Sequence, residues 1–165
     1  PHRYNVVRMK YNETIVISVG GSLIVPDAID TTFLNTLKTL IEQETTNGRR
    51  FILIAGGGRT ARNYQEAARE VGMLDSNDLD WLGIHSTQLN GHLLRTIFRD
   101  IAHPVMITNP DDILDINTKP KVVIAAAVIG PMPGIVVNRL AVSSLPARRR
   151  SSASKPAIFS LKSSI

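Results

Sequence analysis

The apolar positions of this chain follow two rhythms that take turns. Continuous apolar runs, mostly rich in β-branched residues, predict buried strands at Glu13–Val19 (ETIVISV), Phe51–Ala55 (FILIA), Val105–Ile107 (VMI) and Lys121–Ala127 (KVVIAAA). Between them, apolar residues recur at three- and four-residue spacing, the mark of amphipathic helices. Phe33, Leu34, Leu37, Leu40 and Ile41 define the first, which Asp30 or Thr31 can cap and Asn47-Gly48 stops. Tyr64, Ala67, Ala68 and Val71 line one face of the second, which ends at Gly72. The third starts from the caps Asp75-Ser76 and runs to about Arg99, with Leu79, Leu82, Leu89, Leu93 and Ile97 as most of its apolar stripe. A short helical segment is expected near Pro110–Leu114. Strands that alternate with helices, each strand apolar throughout, predict an α/β fold with a mainly parallel sheet covered on both faces.

After Ala127 the pattern changes. One strand-like run remains, Ile135–Val137, and Arg148-Arg149-Arg150 stand among serines, alanines and prolines as in low-complexity chain. Charge divides nearby. Of 19 basic and 14 acidic residues, net +5, every acid lies at or before Asp115. Residues 1–115 hold 11 basic against 14 acidic residues, net −3, while residues 116–165 hold 8 basic and no acidic ones, net +8. The basicity that would suggest a nucleic-acid partner therefore belongs to the tail, and nucleic acid is not the favoured partner. The expected organisation is an N-terminal extension at 1–12, a domain region at 13–127 and a basic tail at 128–165. The absence of cysteine excludes disulfides, thiolate metal sites and cysteine nucleophiles. No run approaches the roughly 20 apolar residues of a membrane span, and no apolar segment follows Pro1-His2-Arg3-Tyr4, so a soluble, cytoplasmic protein with no membrane partner is expected.

Candidate chemistry concentrates where strands end. Gly20-Gly21-Ser22 follows the first strand and Gly56-Gly57-Gly58 the second, 36 residues later, each leading toward a helix. Glycines at such a turn let backbone N–H groups approach an anion, and the helix N-terminus adds partial positive charge. Glycines also serve plain tight turns, so the pair carries more weight than either run. Neither matches G-x-x-x-x-G-K-[ST] or G-x-G-x-x-G. Arg59 and Arg62 open the helix after the second run, where a guanidinium can reach anionic oxygens. Asp80, Gly83, Thr87 and Asn90 share helical spacings of three and four. A carboxylate there can accept hydrogen bonds from ribose hydroxyls, and a glycine lets a flat ligand approach. His85 and His92 lie seven apart without a third ligand, so no metal site is expected, and Trp81 reads as a packing residue.

Taken together, VISVGGSLIVP, FILIAGGGRTARNYQEAA and DWLGIHSTQLNGHLL resemble the amino-acid kinase family, and within it the uridylate kinases of the archaeal-type branch, over roughly residues 13–127. The resemblance implies a three-layer α/β/α sandwich, Mg-ATP as phosphoryl donor, UMP as acceptor, and commonly a homo-hexamer. By the same resemblance, Gly20, Gly21, Ser22, Gly58 and Arg62 would face the ATP phosphates, with Gly57, Asp80, Gly83 and Thr87 on the UMP side. Phosphoryl transfer asks for positioning and charge neutralisation, so no side chain is singled out as a catalytic base.

Three departures qualify that expectation. Many family members carry a lysine two residues before the first Gly-Gly, where this chain has Ser18. Where the family often reads T-R-x-N-A, this chain has Thr87-Gln88-Leu89-Asn90-Gly91. After Ala127 the family's glycine-rich UMP loop and adenine-binding half are not recognisable. A coding-frame shift near residue 127 would produce that change, as would a native short variant, and either predicts a truncated sandwich with impaired activity. Two rivals stand beside the UMP kinase expectation: a family member acting on a carboxylate or another small phosphate, and a non-catalytic nucleotide-binding protein on the same scaffold.

Overall fold

A computed structural model describes residues 13–72, 75–108 and 120–126, together with the backbone of 158–161. The order of elements is β1 (Glu13–Val19), α1 (Gly21–Ile24), α2 (Thr31–Thr46), β2 (Arg49–Ala55), α3 (Gly58–Val71), α4 (Ser76–Ile97), β3 (Val122–Ala125) and β4 (Ile158–Leu161). The strands form one parallel sheet in the order β3-β2-β1-β4. Helices connect β1 to β2 and β2 to β3, as parallel pairing requires. The expected α/β class with a parallel sheet is what the chain adopts.

Alternation along the strands defines the core. Ile17 and Val19, Phe51, Leu53 and Ala55, and Val122, Ile124 and Ala126 present one face of the sheet. Leu34, Leu37 and Ile41 of α2 join them in a single cluster, as do Leu94 and Phe98 at the end of α4. Val16, Ile52 and Val123 stand in register across β1, β2 and β3; they turn to the other face and are buried as well. At the N-terminal end of the sheet, Arg49 ties three elements. It pairs with Glu13 of β1 at 3.3 Å and hydrogen-bonds Glu44 of α2. The bond to Glu44 raises the Arg49 pKa further above its ordinary value, with the charges of Glu44 and Glu13 adding to it.

Caps fall where the polar residues predict them. Asp30 caps α2, its carboxylate accepting from Phe33 N at 2.8 Å, and Asn47 ends the helix ahead of Gly48, whose φ is 81°. Asp75 caps α4 in a reciprocal box with Asp78.

The structure differs from the sequence pattern, or adds to it, in four places. Val105–Ile107 is not a strand: Ile107 bridges to Ala125 and Ala102 to Val122 as isolated parallel pairs. Pro104 between them has no N–H to give, and its carbonyl accepts from Arg95 Nε at 2.6 Å, so a ladder cannot run through it. The face of α3 expected to be buried is open, with Tyr64 and Val71 exposed, because α3 rests on α1 and α4 rather than on the sheet. A single-turn helix, α1, begins within the first glycine run, at Gly21, unannounced by any periodicity. Within the segment expected to be low-complexity tail, Ile158–Leu161 adds to the free edge of β1, with Val16 opposite Ile158 and Val19 opposite Leu161. The extension at 1–12, the helical segment near 110–114 and the run at 135–137 lie outside the described residues.

Candidate functional site

β1 and β2 are adjacent and parallel, in register from Glu13 with Arg49 to Val19 with Ala55. Their glycine runs therefore emerge side by side at one end of the sheet, and the two expected phosphate cradles become one. Gly56 N donates to Val19 O at 3.1 Å. Beyond that bond the two backbones touch. A Cβ on Gly21 would lie 2.0 Å from Gly58 N and 2.6 Å from Gly56 C, and one on Gly58 would lie 2.2 Å from Gly21 O. Gly58 also has φ of 64°, a left-handed conformation that side chains resist. The glycines are needed first for each other; they allow a backbone-to-backbone seam that no side chain could enter.

The flanks of the seam are two helix starts. Gly20 leads into α1, its carbonyl accepting from Leu23 N at 2.9 Å, and Ser22 is half-buried in that turn. Gly57 caps α3, whose first turn has no acidic residue, while Arg59 and Arg62 stand in its first two turns. Arg59 N donates to Val25 O at 3.1 Å, locking α3 to the end of α1. Arg62 is exposed. A helix N-terminus with two guanidinium groups and no carboxylate in its first turn favours an anion.

α4 closes the underside, and here the structure departs from the apolar stripe. Its buried residues are Ser86, Thr87, Asn90, Gly91 and Leu94; Leu79, Leu82, Leu93 and Ile97 are half-buried, and Leu89 is 62% exposed. Ser86 and Thr87 satisfy their hydroxyls within α4, on Leu82 O and Gly83 O, while the backbone carbonyls at the end of the sheet, which lose water on burial and need donors, are met by Asn90. Asn90 Nδ2 donates to Gly56 O at 2.8 Å and to Gly57 O at 3.0 Å. Gly91 permits the close approach, since a Cβ there would meet Met106 Sδ at 2.5 Å and Ala126 Cβ at 3.0 Å.

Thr87 and Gly83 meet the loop directly. A Cβ on Gly57 would come within 3.1 Å of Thr87 Oγ1 and 3.6 Å of Gly83 O, and Thr87 Oγ1 donates to Gly83 O at 2.9 Å. Gln65 of α3 crosses to α4, donating to Leu79 O at 2.7 Å. Asp80 lies one turn before Gly83 and is exposed. The structure thus brings Gly20, Gly21, Ser22, Gly57, Gly58, Gly83 and Thr87 together, with Arg62 and Asp80 on the helices that flank them. Ser18 is half-buried on β1, just before the seam. Trp81, expected to be a packing residue, is 47% exposed and stacks on His85 with ring centroids 5.8 Å apart.

Two features escaped the sequence reading. The bond between Arg59 N and Val25 O has no signal in it, because any residue could supply either group. The other is the burial of α4's polar face: the spacing of Gly83, Thr87 and Asn90, with Ser86 and Gly91, marks one face in competition with the leucines, but nothing local marks it as the inward one.

Known proteins share this architecture. The amino acid kinase family model matches residues 13–133. The uridylate kinase of Thermoplasma volcanium is 30% identical over 130 residues, covering 79% of this chain and 54% of that protein. That of Methanocorpusculum labreanum is 38% identical over 92 residues, covering 56% and 38% respectively. The chain thus spans about half the length, or less, of the curated relatives it matches. The crystal structure of uridylate kinase from Archaeoglobus fulgidus superposes with a TM-score of 0.58 at 24% identity, over 78% of this chain and 57% of that one, which shows a shared fold. With its glycine seam at the ends of two parallel strands and a family match across most of its length, the chain belongs to the amino-acid kinase family.

Proposed function

We propose that this chain carries the phosphate-binding part of a uridylate kinase-like phosphotransferase, which moves the γ-phosphoryl group of ATP to UMP to give ADP and UDP in pyrimidine nucleotide synthesis. The observation that carries this reading is the single seam formed by Gly20-Gly21 and Gly56-Gly57-Gly58, with the N-terminus of α3 at its edge. Joining a donor loop to an acceptor loop by backbone contact suits a reaction in which two phosphate groups must meet in line. The resemblance to archaeal uridylate kinases supports the choice of nucleotides.

In this reading Gly20, Gly21, Ser22, Gly58 and Arg62 hold the ATP phosphates, and Gly57, Asp80 and Gly83 serve UMP. Thr87 is buried with its hydroxyl on Gly83 O, so it acts on UMP through Gly57 and Gly83 rather than by touch. The donor set of backbone N–H groups and guanidinium suits phosphates. Mg²⁺ would come with ATP, held chiefly by the phosphates, and would supply charge neutralisation there. Arg62 adds a positive charge in the second turn of α3, in a chain that has Ser18 in place of the family lysine. That replacement favours a second reading, a nucleotide-binding protein with little turnover, and because the chain spans about half of its relatives we propose impaired activity for these 165 residues by themselves. A homo-hexamer and a cytoplasmic location are proposed on the resemblance. Among the described residues no helix is long and apolar enough to cross a membrane.

Thermal-shift titration of the 165-residue chain with UMP, ATP, aspartate and acetylglutamate tests the reading, since a ligand of the native state raises its apparent stability by mass action. UMP and ATP are expected to raise the Tm, and Asp80→Asn to remove the UMP response while sparing that to ATP. A response to aspartate or acetylglutamate with none to UMP overturns the nucleotide assignment.

A further inference from the structure

Asn90 is 3% exposed, and its side-chain amide spans the carbonyls of Gly56 and Gly57. Two acceptors identify the contacting atom as nitrogen, because an amide oxygen in that place would face two other oxygens. Both peptides are trans, and in a trans peptide the N–H points opposite to the C=O. Gathering the two carbonyls on one NH₂ group therefore turns the N–H groups of Gly57 and Gly58 away from α4. Gly58 N is the atom that a Cβ on Gly21 would strike, so its N–H is held at the seam with the first glycine run. A carbonyl that accepts a hydrogen bond also polarises its peptide, which strengthens the N–H on the far side as a donor. Glycine's own conformational preferences do not fix this orientation, since glycine has the widest range of any residue. Gly57 O also accepts from Ala61 N at 3.4 Å as the first bond of α3, and Asn90 adds a shorter bond to it and binds Gly56 O as well.

We propose that Asn90 is a positioning residue: it sets the orientation of the Gly56-Gly57 and Gly57-Gly58 peptides, so that their N–H groups are presented together to phosphate oxygens. The identity of the anion rests on the phosphotransferase reading, whereas the fixing of the two peptides does not. Thr87 and Gly83 support the same loop by packing, but among these three α4 residues Asn90 is the one that binds the loop carbonyls.

Asn90→Asp keeps the shape of the side chain and puts an acceptor where the donor stood. The 165-residue chain and this variant are compared by amide NMR, first without ligand and then titrated with UMP and with ATP. At pH 7.5 the Gly57 and Gly58 amide resonances of the free variant are expected to move while those of α2 stay in place. Affinities for both nucleotides should fall about tenfold or more, the equivalent of one or two well-placed hydrogen bonds. Lowering the pH protonates the introduced carboxyl, whose burial favours the neutral form, and restores a donor. The ratio of variant to parent affinity should then return toward one, a recovery that a general loosening of the fold would not show. If the Gly57 and Gly58 amides do not move, or both affinities are kept at pH 7.5, the proposal is wrong. Should Asn90→Asp unfold the chain, Asn90→Ser, which adds no buried charge, is read by the same two criteria. A parent chain that binds neither nucleotide, with the two amides still displaced in the variant, overturns the phosphotransferase reading and leaves the positioning role standing.

Discussion

α2 and α4 both rest on the same sheet, yet they are built on opposite terms. α2 buries Leu34, Leu37 and Ile41 against apolar side chains, as most of its leucine spacing announces, although Leu40 of the same expected face is 50% exposed and Thr45 is buried beside them. α4 buries a serine, a threonine, an asparagine and a glycine before it reaches Leu94, and leaves Leu89 in solvent. The difference lies in what each helix meets. α2 meets side chains, where burial of apolar area is favourable and tolerant of detail. At Asn90, α4 meets bare peptide groups of the glycine seam, where each buried carbonyl needs a donor in one place. One helix serves the core, and the other serves the geometry of a loop.

Breaking the backbone seam should have the largest effect. Gly21→Ala places a methyl group 2.0 Å from Gly58 N, with no flexible side chain to yield. We expect a loss of more than about 4 kcal/mol in urea unfolding, or failure to fold. A variant within about 1 kcal/mol of the parent would show that the two glycine runs do not touch in solution. Ile41→Ala, in the apolar face of α2, comes next. It deletes a side chain with no exposed surface and should cost about 3 kcal/mol, mid-range for such a cavity, while nucleotide affinity per folded molecule stays unchanged. Loss of UMP or ATP affinity in stably folded Ile41→Ala would erase the division of labour between the helices. The smallest effect is expected at Leu89→Gln. A leucine of the supposed stripe would be costly to replace, but at 62% exposure the change should stay within about 0.5 kcal/mol in the same assay.

Much of this architecture is readable along the chain. The strands at Glu13–Val19 and Phe51–Ala55, the start of α2 at Asp30 and that of α4 at Asp75 follow from β-branched runs and capping residues, which are local properties. The strand expected at Val105–Ile107 was lost to one proline and one arginine side chain arriving from α4. The strand at Ile158–Leu161 exists because β1 has a free edge to pair with, which the four residues themselves cannot announce. The exposed face of α3 makes the same point: Tyr64 and Val71 have helical spacing but no partner on the sheet.

The sequence by itself determined the class of fold, the glycine runs and the amphipathic helices, because strand and helix periods and caps are written in neighbouring residues. Only the tertiary structure decided that the two glycine runs form one seam, and that α4 turns Asn90 rather than Leu89 toward it. Those outcomes depend on which backbone atoms parallel pairing brings together across 36 residues of chain, and on the cost of burying a carbonyl without a donor.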